Sequence, residues 1–405
     1  MKLIKGDLLI SVLTVLIPVI FQLVFIWYAS NFIDKSDYGI FIIVNGLILA
    51  LGQVLTSMPI QVVNRYYNAC EEKIDFINEM RTLSYSLSVM SVFIFFISAT
   101  FYGKYFSTKL MLFCAIYVFI NVSTTIFQQI FLIKLNRVEY FKVKVIDGIS
   151  KFAAPIFGYV ILPKFDGIIF GAIVGQLLSF LYLEIKLCIY PRAVVFNFEK
   201  IKKYLKFSYP VLFSSLASWI IVFSDRFFIE HFLGVDDVAW YSLLVQLAGF
   251  AQILNVLYTI YVTPTVLKVY ERSSVEGIAL LASYLKKFSI ALLALFIIFL
   301  FIPLETFEII LGENFFTVNE RDHVLILVVA SVFLTVYQTA QSLYFVLFKK
   351  LQTHAFMFSL CAFINFILNF YIEKYGVIAA AVSTLISYFF LNTLIIFWMK
   401  CVKEK

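Results

Sequence analysis

Ionisable side chains that could bind an anion or carry a proton lie inside apolar stretches of this 405-residue chain. The clearest stretch runs from Phe207 to Phe232 and holds Asp225, Arg226 and Glu230 in its final third. A charged side chain at the centre of a membrane span costs about 2.5–3.5 kcal/mol to insert. Each of these residues therefore requires a water-filled cavity, a partner or the membrane interface.

Arg226 lies about 19 residues into this span, roughly 28 Å from its beginning at about 1.5 Å per residue. It could hold an anionic phosphate in the far third of a bilayer. Alternatively, it snorkels to the interface or pairs with Glu230, one helical turn along. We expect Asp225, adjacent in sequence, to point elsewhere and to be a poor partner. Asp225 and Glu230 are further candidates for coupling an ion.

Lys151 and Asp147 form a second candidate site near the beginning of an apolar segment. They are four residues apart, which places them on one face of a helix. A local ion pair would make insertion of both charges less costly. Alternatively, Lys151 binds an anionic substrate and Asp147 acts as a protonatable switch.

Four further residues are candidates for binding a polar substrate. Arg65 and Lys134 end two apolar segments, where basic residues set membrane topology or contact a substrate. Gln128 and Gln341 are amides inside apolar segments, where such side chains either join helices or bind ligands. These two occupy nearly matching places in the halves of the chain, which favours a sugar-facing role.

The composition indicates a membrane protein. Hydrophobic residues make up 62% of the chain and charged residues 14%, with a mean hydropathy of +0.95, whereas soluble domains carry about 25% charge. The net charge of +7 lies beside the apolar segments, so it does not indicate nucleic-acid binding. The Cys and His spacings match no metal or disulfide motif. We therefore expect no metal.

The apolar segments are long enough to span a bilayer, which takes about 20 residues. Twelve spans are predicted, at roughly 8–32, 38–64, 83–102, 110–133, 145–162, 168–190, 207–232, 238–266, 288–304, 323–348, 355–372 and 376–399. Most Lys and Arg residues fall on the side of the N-terminus. By the positive-inside rule, both termini are cytoplasmic. The basic residues predicted outside are Lys35, Lys104, Lys109, Lys164, Arg321 and Lys374.

The two halves of the chain resemble each other in sequence. Matching segments in the same order are 37–41 and 237–241, 102–106 and 311–315, and 167–172 and 376–381. Six spans per copy make the repeats parallel, an arrangement common in secondary transporters. We predict an all-α polytopic membrane protein with twelve transmembrane helices in two parallel six-helix repeats around a central cavity. Its parts are an N-terminal lobe (1–190), a cytoplasmic interfacial linker (191–206) and a C-terminal lobe (207–405).

Several short motifs occur at corresponding places in a known family. They are D-Y-G-x-F from Asp37, S-D-R from Ser224, I-L-G-E-N-F from Ile310 and G-x-x-x-A-A from Gly376. With these motifs, the length and the span count, the chain resembles the O-antigen and polysaccharide flippases of the multidrug/oligosaccharidyl-lipid/polysaccharide exporter superfamily.

The resemblance implies a flippase in the bacterial inner membrane that uses no cofactor and has no enzymatic activity. Such a protein moves an undecaprenyl-diphosphate-linked oligosaccharide, an O-antigen or capsule repeat unit, to the outer leaflet by alternating access, driven by an ion gradient. Its partners would be that substrate, membrane lipid and the polysaccharide polymerase machinery.

Other transporter and enzyme classes remain as alternatives. A multidrug or cation exporter of the same architecture would require acidic residues deep in the N-terminal lobe. A major-facilitator transporter would require a glycine- and arginine-rich loop, which segment 65–81 lacks. An O-antigen polymerase or lipid-linked glycosyltransferase would require a large outer loop or an acidic pair.

Overall fold

The computed structural model describes residues 5–67, 70–101, 107–133, 137–187, 198–303, 305–312, 322–348 and 350–403. All regular secondary structure within these ranges is helical. Ten of the described helices are long and apolar enough to cross a membrane. The prediction of an all-α polytopic membrane protein is therefore confirmed.

The chain divides into two compact units, residues 1–216 and 217–405. The first unit contains α1 (Lys5–Phe32), α2 (Lys35–Tyr66), α3 (Lys73–Phe101), α4 (Thr108–Ile133), α5 (Arg137–Gly148), a π-helical turn (Ile149–Ala153), α6 (Ala154–Ile161), α7 (Phe165–Leu187) and the beginning of α8 (Phe198–Phe232). Within this unit, α4 is central, since it contacts α2, α3 and α7.

The second unit begins inside α8. Its further elements are α9 (Val235–Ala248), a 3₁₀ turn (Gly249–Ala251), α10 (Gln252–Arg272), α11 (Ser274–Leu300), α12 (Glu305–Leu311), α13 (Asp322–Gln341), α14 (Leu343–Leu347), α15 (Leu351–Leu368), a second 3₁₀ turn (Asn369–Tyr371), α16 (Ile372–Tyr375) and α17 (Val377–Lys403). Helix α13 contacts α17 most extensively and also packs on α9, α10 and α11.

Each of the twelve predicted spans overlaps helix in the described part of the chain. The fifth span is not one regular helix, because the π-helical turn separates α5 from α6. Hydropathy fixes the apolar part of a helix but not its ends. Helices α3 and α11 therefore begin at Lys73 and Ser274, well before the predicted spans.

The predicted linker, 191–206, is only partly described. Residues 191–197 lie outside the described ranges, and residues from Phe198 belong to α8 without interruption. The basic segment is thus helical and continuous with the seventh span. Its placement along the membrane face and the lobe boundaries stay predictions.

Close packing of small residues joins the π-helical turn and α6 to α7. A Cβ added to Gly175 would lie 2.6 Å from the carbonyl oxygen of Ser150 and 2.7 Å from the Cβ of Ala154. A Cβ on Gly171 would collide with the carbonyl oxygen of Ala154. Small residues let membrane helices approach this closely. The Ser150 hydroxyl donates to the carbonyl oxygen of Gly175 at 2.6 Å, which fixes the turn that carries Lys151.

We expect Gly171→Val to lower the free energy of unfolding by about 1–3 kcal/mol, because the added methyl groups force the two helices apart. The readout is the melting temperature of the purified protein in detergent. Val174→Leu, at an exposed position on the same helix, is the control. An unchanged melting temperature for Gly171→Val would contradict the close contact.

Candidate functional site

An ion pair between neighbouring residues is buried in the second unit. Arg226 Nη1 lies 2.8 Å from Asp225 Oδ1, and the two side chains are 4% and 2% exposed. The same arginine nitrogen also donates to the carbonyl oxygen of Val222. The expectation that Asp225 would be a poor partner is therefore wrong. The long arginine side chain folds back along its own helix, so residues adjacent in sequence can pair.

Aromatic rings complete the surroundings of this pair. The Tyr241 hydroxyl donates to Asp225 Oδ2 at 2.8 Å. The Arg226 guanidinium carbon lies 4.4 Å from the centre of the Phe223 ring and 5.7 Å from that of Tyr241. Cation–π contacts of this kind stabilise a desolvated guanidinium. The alternative that Arg226 snorkels is wrong for this conformation, because the side chain is buried.

Glu230 is also buried, one turn beyond Arg226 on α8. Its predicted role in ion coupling stays a prediction, as does that of Asp225. The carboxylate of Asp225 accepts hydrogen bonds from Arg226 and Tyr241, so an incoming ion would have to compete with both partners.

A chain of amides and hydroxyls lies beside the arginine pair. Asn369 Nδ2 donates to Ser224 Oγ at 3.1 Å and to Asn365 Oδ1 at 3.3 Å. The Ser383 hydroxyl donates to Asn369 Oδ1. All four side chains are buried. Sequence reasoning missed this cluster, although two asparagines four residues apart in an apolar span were a visible signal.

A second polar cluster lies in the first unit, where α4 meets α5. Lys151 Nζ is 3.0 Å from Asp147 Oδ2, so the predicted ion pair is confirmed. Gln128 Nε2 donates to Asp147 Oδ1 at 2.9 Å, and Lys144 Nζ donates to Gln128 Oε1 at 2.9 Å. Lys144 was not among the predicted site residues. We call these four residues the lysine cluster.

The lysine cluster holds its charges at different depths. Asp147 is 7% exposed, whereas the side chains of Lys144 and Lys151 are 25% and 38% exposed. Two lysines and one carboxylate leave an excess of one positive charge. Lys151 lies in the π-helical turn, and such turns are frequent at functional sites. The partly exposed Lys144 and Lys151 could therefore bind an anion that approaches from outside the contact between α4 and α5.

The remaining predicted site residues have different surroundings. Arg65 is exposed at the end of α2, with its guanidinium carbon 5.9 Å from the centre of the Phe207 ring. Lys134 lies outside the described residues. Gln341 is fully buried at the end of α13, and neither its amide nitrogen nor its oxygen has a hydrogen-bond partner. Gln128 instead belongs to the lysine cluster, so the two glutamines have dissimilar environments.

Two buried carboxylates in the first unit were missed. Glu184 on α7 accepts from Arg81 Nη2 at 2.9 Å and from the Tyr85 hydroxyl, both on α3. Arg81 was not among the predicted site residues, yet its side chain is only 7% exposed. Glu184 itself, an acidic residue in an apolar helix, was the available signal.

Glu79, the other missed carboxylate, joins α3 to the beginning of α8. It accepts from Lys200 Nζ at 2.7 Å and from the Tyr204 hydroxyl at 3.2 Å. The hydrogen bond to Glu79 raises the pKa of Lys200 above its ordinary value. The lysine therefore stays charged at neutral pH, and the pair holds the basic segment of α8 against α3.

Comparison with protein families gives one match. A family described as "Polysaccharide biosynthesis protein" matches residues 4–269. No curated protein matches the chain.

Solved structures of membrane transporters share the fold. The lipid II flippase MurJ in an inward closed conformation is 17% identical, with a TM-score of 0.74, over 97% of this chain and 87% of that one. An inward-facing multidrug resistance MATE family transporter is 14% identical, with a TM-score of 0.70, over 98% and 99%. A transporter of the same superfamily from Pyrococcus furiosus is 14% identical, with a TM-score of 0.58, over 97% and 93%.

Proposed function

Because the chain belongs to the polysaccharide biosynthesis protein family, we propose that it is a flippase for undecaprenyl-diphosphate-linked oligosaccharide. It moves an O-antigen or capsule repeat unit from the cytoplasmic to the outer leaflet of a bacterial inner membrane. Transport proceeds by alternating access and uses an ion gradient, and both termini are cytoplasmic. The product is passed to polysaccharide polymerase machinery.

The lysine cluster is the main structural support for this proposal. A lipid-linked diphosphate must bring its anionic head group through the hydrocarbon layer, while its tail stays in lipid. Cations at the beginning of a span, partly exposed and in excess over their carboxylate, suit that head group. The fold shared with a lipid II flippase supports the same substrate class.

Within this proposal, the candidate residues take separate roles. Lys151, Arg65 and Lys134 contact the diphosphate on the cytoplasmic side, and Arg226 does so towards the outer side once its burial is relieved. Gln128 and Gln341 contact sugar. Asp147, Asp225 and Glu230 couple the ion.

A multidrug exporter is the second candidate, favoured by the fold shared with MATE transporters over nearly the full length of both chains. It would carry organic cations and require buried acidic residues, but the buried carboxylates Asp147, Glu79 and Glu184 each pair with a lysine or an arginine. A membrane-embedded polymerase or glycosyltransferase is the third candidate function, after the flippase and the exporter.

Deletion of the gene in its host tests the proposed function. We expect loss of surface polysaccharide and accumulation of lipid-linked repeat units on the cytoplasmic face, because the repeat unit is made but not moved. A plasmid copy should restore the polysaccharide. Normal surface polysaccharide in a deletion strain that has no second flippase would contradict the proposal.

A further inference from the structure

An apolar groove runs along the second unit between α11 and α13. It has a volume of about 320 Å³, and its walls include Leu293 and Phe296 on one side and Ala330 and Phe333 on the other. Leu293 is 60% exposed, so the groove opens to the surroundings of the protein. In a membrane span those surroundings are hydrocarbon. Apolar walls leave water no hydrogen-bond partner, so a lipid chain is the fitting occupant.

The groove extends through about two-thirds of one leaflet. Ser289 and Tyr337 lie at one end, and Phe296 and Ala330 lie at the other. From Ser289 to Phe296 a helix advances about 10 Å at about 1.5 Å per residue, against a hydrocarbon core of about 30 Å. No charged residue occurs from 288 to 300. The Ser289 end therefore lies near the membrane boundary.

A positively charged side chain lies beyond the Ser289 end of the groove. Lys286 is exposed and precedes Ser289 by three residues, which puts both on one face of α11. The Ser289 hydroxyl donates to the carbonyl oxygen of Lys286 at 2.9 Å. Lys287 is also exposed. Because it is one residue further along the helix, its side chain projects from a different face of α11. The groove thus joins an apolar wall to a positive charge at the membrane boundary.

Few charges on α11 compete with Lys286. The acidic residue of this helix is Glu276, in its first turn, about 15 Å before Lys286 at about 1.5 Å per residue. Lys286 and Lys287 are therefore the charges of α11 nearest to this end of the groove.

We propose that this groove is a binding site for an anionic phospholipid of the leaflet on the basic side of the membrane. One acyl chain lies between α11 and α13, and the phosphate group pairs with Lys286. Charge complementarity selects the anionic head group, and the apolar walls hold the chain. The site is separate from the lysine cluster and does not depend on the transported substrate.

Native mass spectrometry of the full-length protein, delipidated and titrated with phosphatidylglycerol or phosphatidylcholine, tests the site. We expect phosphatidylglycerol to bind more tightly. Lys286→Gln should weaken the binding of one such lipid about fivefold, the effect of one lysine near the head groups. Ala330→Trp should remove that lipid by filling the groove. Lys287→Gln and Ile298→Trp, which change exposed positions outside the groove lining, should leave binding unchanged.

Three results would overturn the proposal. The first is equal affinity for the two phospholipids. The second is unchanged binding in Lys286→Gln, because the lysine would then not pair with the phosphate group. The third is one-for-one displacement of the phosphatidylglycerol by undecaprenyl diphosphate, which would assign the groove to the transported lipid instead.

Discussion

Replacing Arg226 by alanine should abolish restoration of surface polysaccharide in the deletion strain, whereas Arg226→Lys should restore part of it. Alanine removes both the positive charge and the partner of the buried Asp225. Breaking a buried pair by removing one partner costs about 3–5 kcal/mol of folding stability, because the remaining charge is uncompensated. Arg272→Ala, at an exposed arginine of the same unit, is the control and should restore the polysaccharide fully.

A double variant separates folding from transport at this position. Asp225→Asn combined with Arg226→Met removes both charges, which is far less destabilising than removing one. We expect this protein to reach the membrane in near-normal amount, measured by immunoblot, and still to leave the deletion strain without surface polysaccharide. Full restoration by the double variant would mean that Arg226 serves only to pair with Asp225.

Removing both lysines of the lysine cluster should also have a large effect. In Lys144→Gln/Lys151→Gln, the buried Asp147 loses both cations that lie within 4 Å, and the cluster changes from positive to negative. A diphosphate approaching it would then be repelled. We expect the double variant to move the substrate more than about tenfold more slowly, a barrier raised by about 1.4 kcal/mol or more, and so to restore much less surface polysaccharide.

Two comparison variants give this second prediction its control. Lys142→Gln removes a half-exposed lysine that pairs with Glu139 on the same helix, and it should leave polysaccharide unchanged. Adding Asp147→Asn to the double lysine variant removes the uncompensated carboxylate. If this triple variant regains full activity, the lysines serve only to neutralise Asp147, and the cluster is not a substrate site.

The spans could be predicted from sequence because the membrane itself imposes their length and apolarity. Helix ends could not, since α3 and α11 continue as polar helix beyond the apolar part. The division of the fifth span by a π-helical turn was equally invisible, because composition does not distinguish i+4 from i+5 hydrogen bonding. The hydrogen bond from Ser150 in this turn to the carbonyl oxygen of Gly175 is likewise visible only in the structure.

Some contacts of the polar sites could be predicted from the sequence and others could not. The Asp147–Lys151 pair follows from a spacing of four residues, so it was predicted. The Asp225–Arg226 pair depends on a side-chain conformation, and the simple rule for neighbours failed. Glu184 meets Arg81 across 103 positions of sequence, a contact that only the tertiary structure creates.

The central claim, movement of a lipid-linked oligosaccharide, is tested most directly by reconstitution. Purified protein in vesicles with an ion gradient should transfer undecaprenyl-diphosphate-linked oligosaccharide between leaflets. The readout is the fraction of the oligosaccharide that an added glycosidase can cleave. We expect transfer by the native chain and none by the Asp225→Asn/Arg226→Met variant. No transfer of the lipid-linked oligosaccharide, together with gradient-driven uptake of an organic cation by the same vesicles, would contradict it.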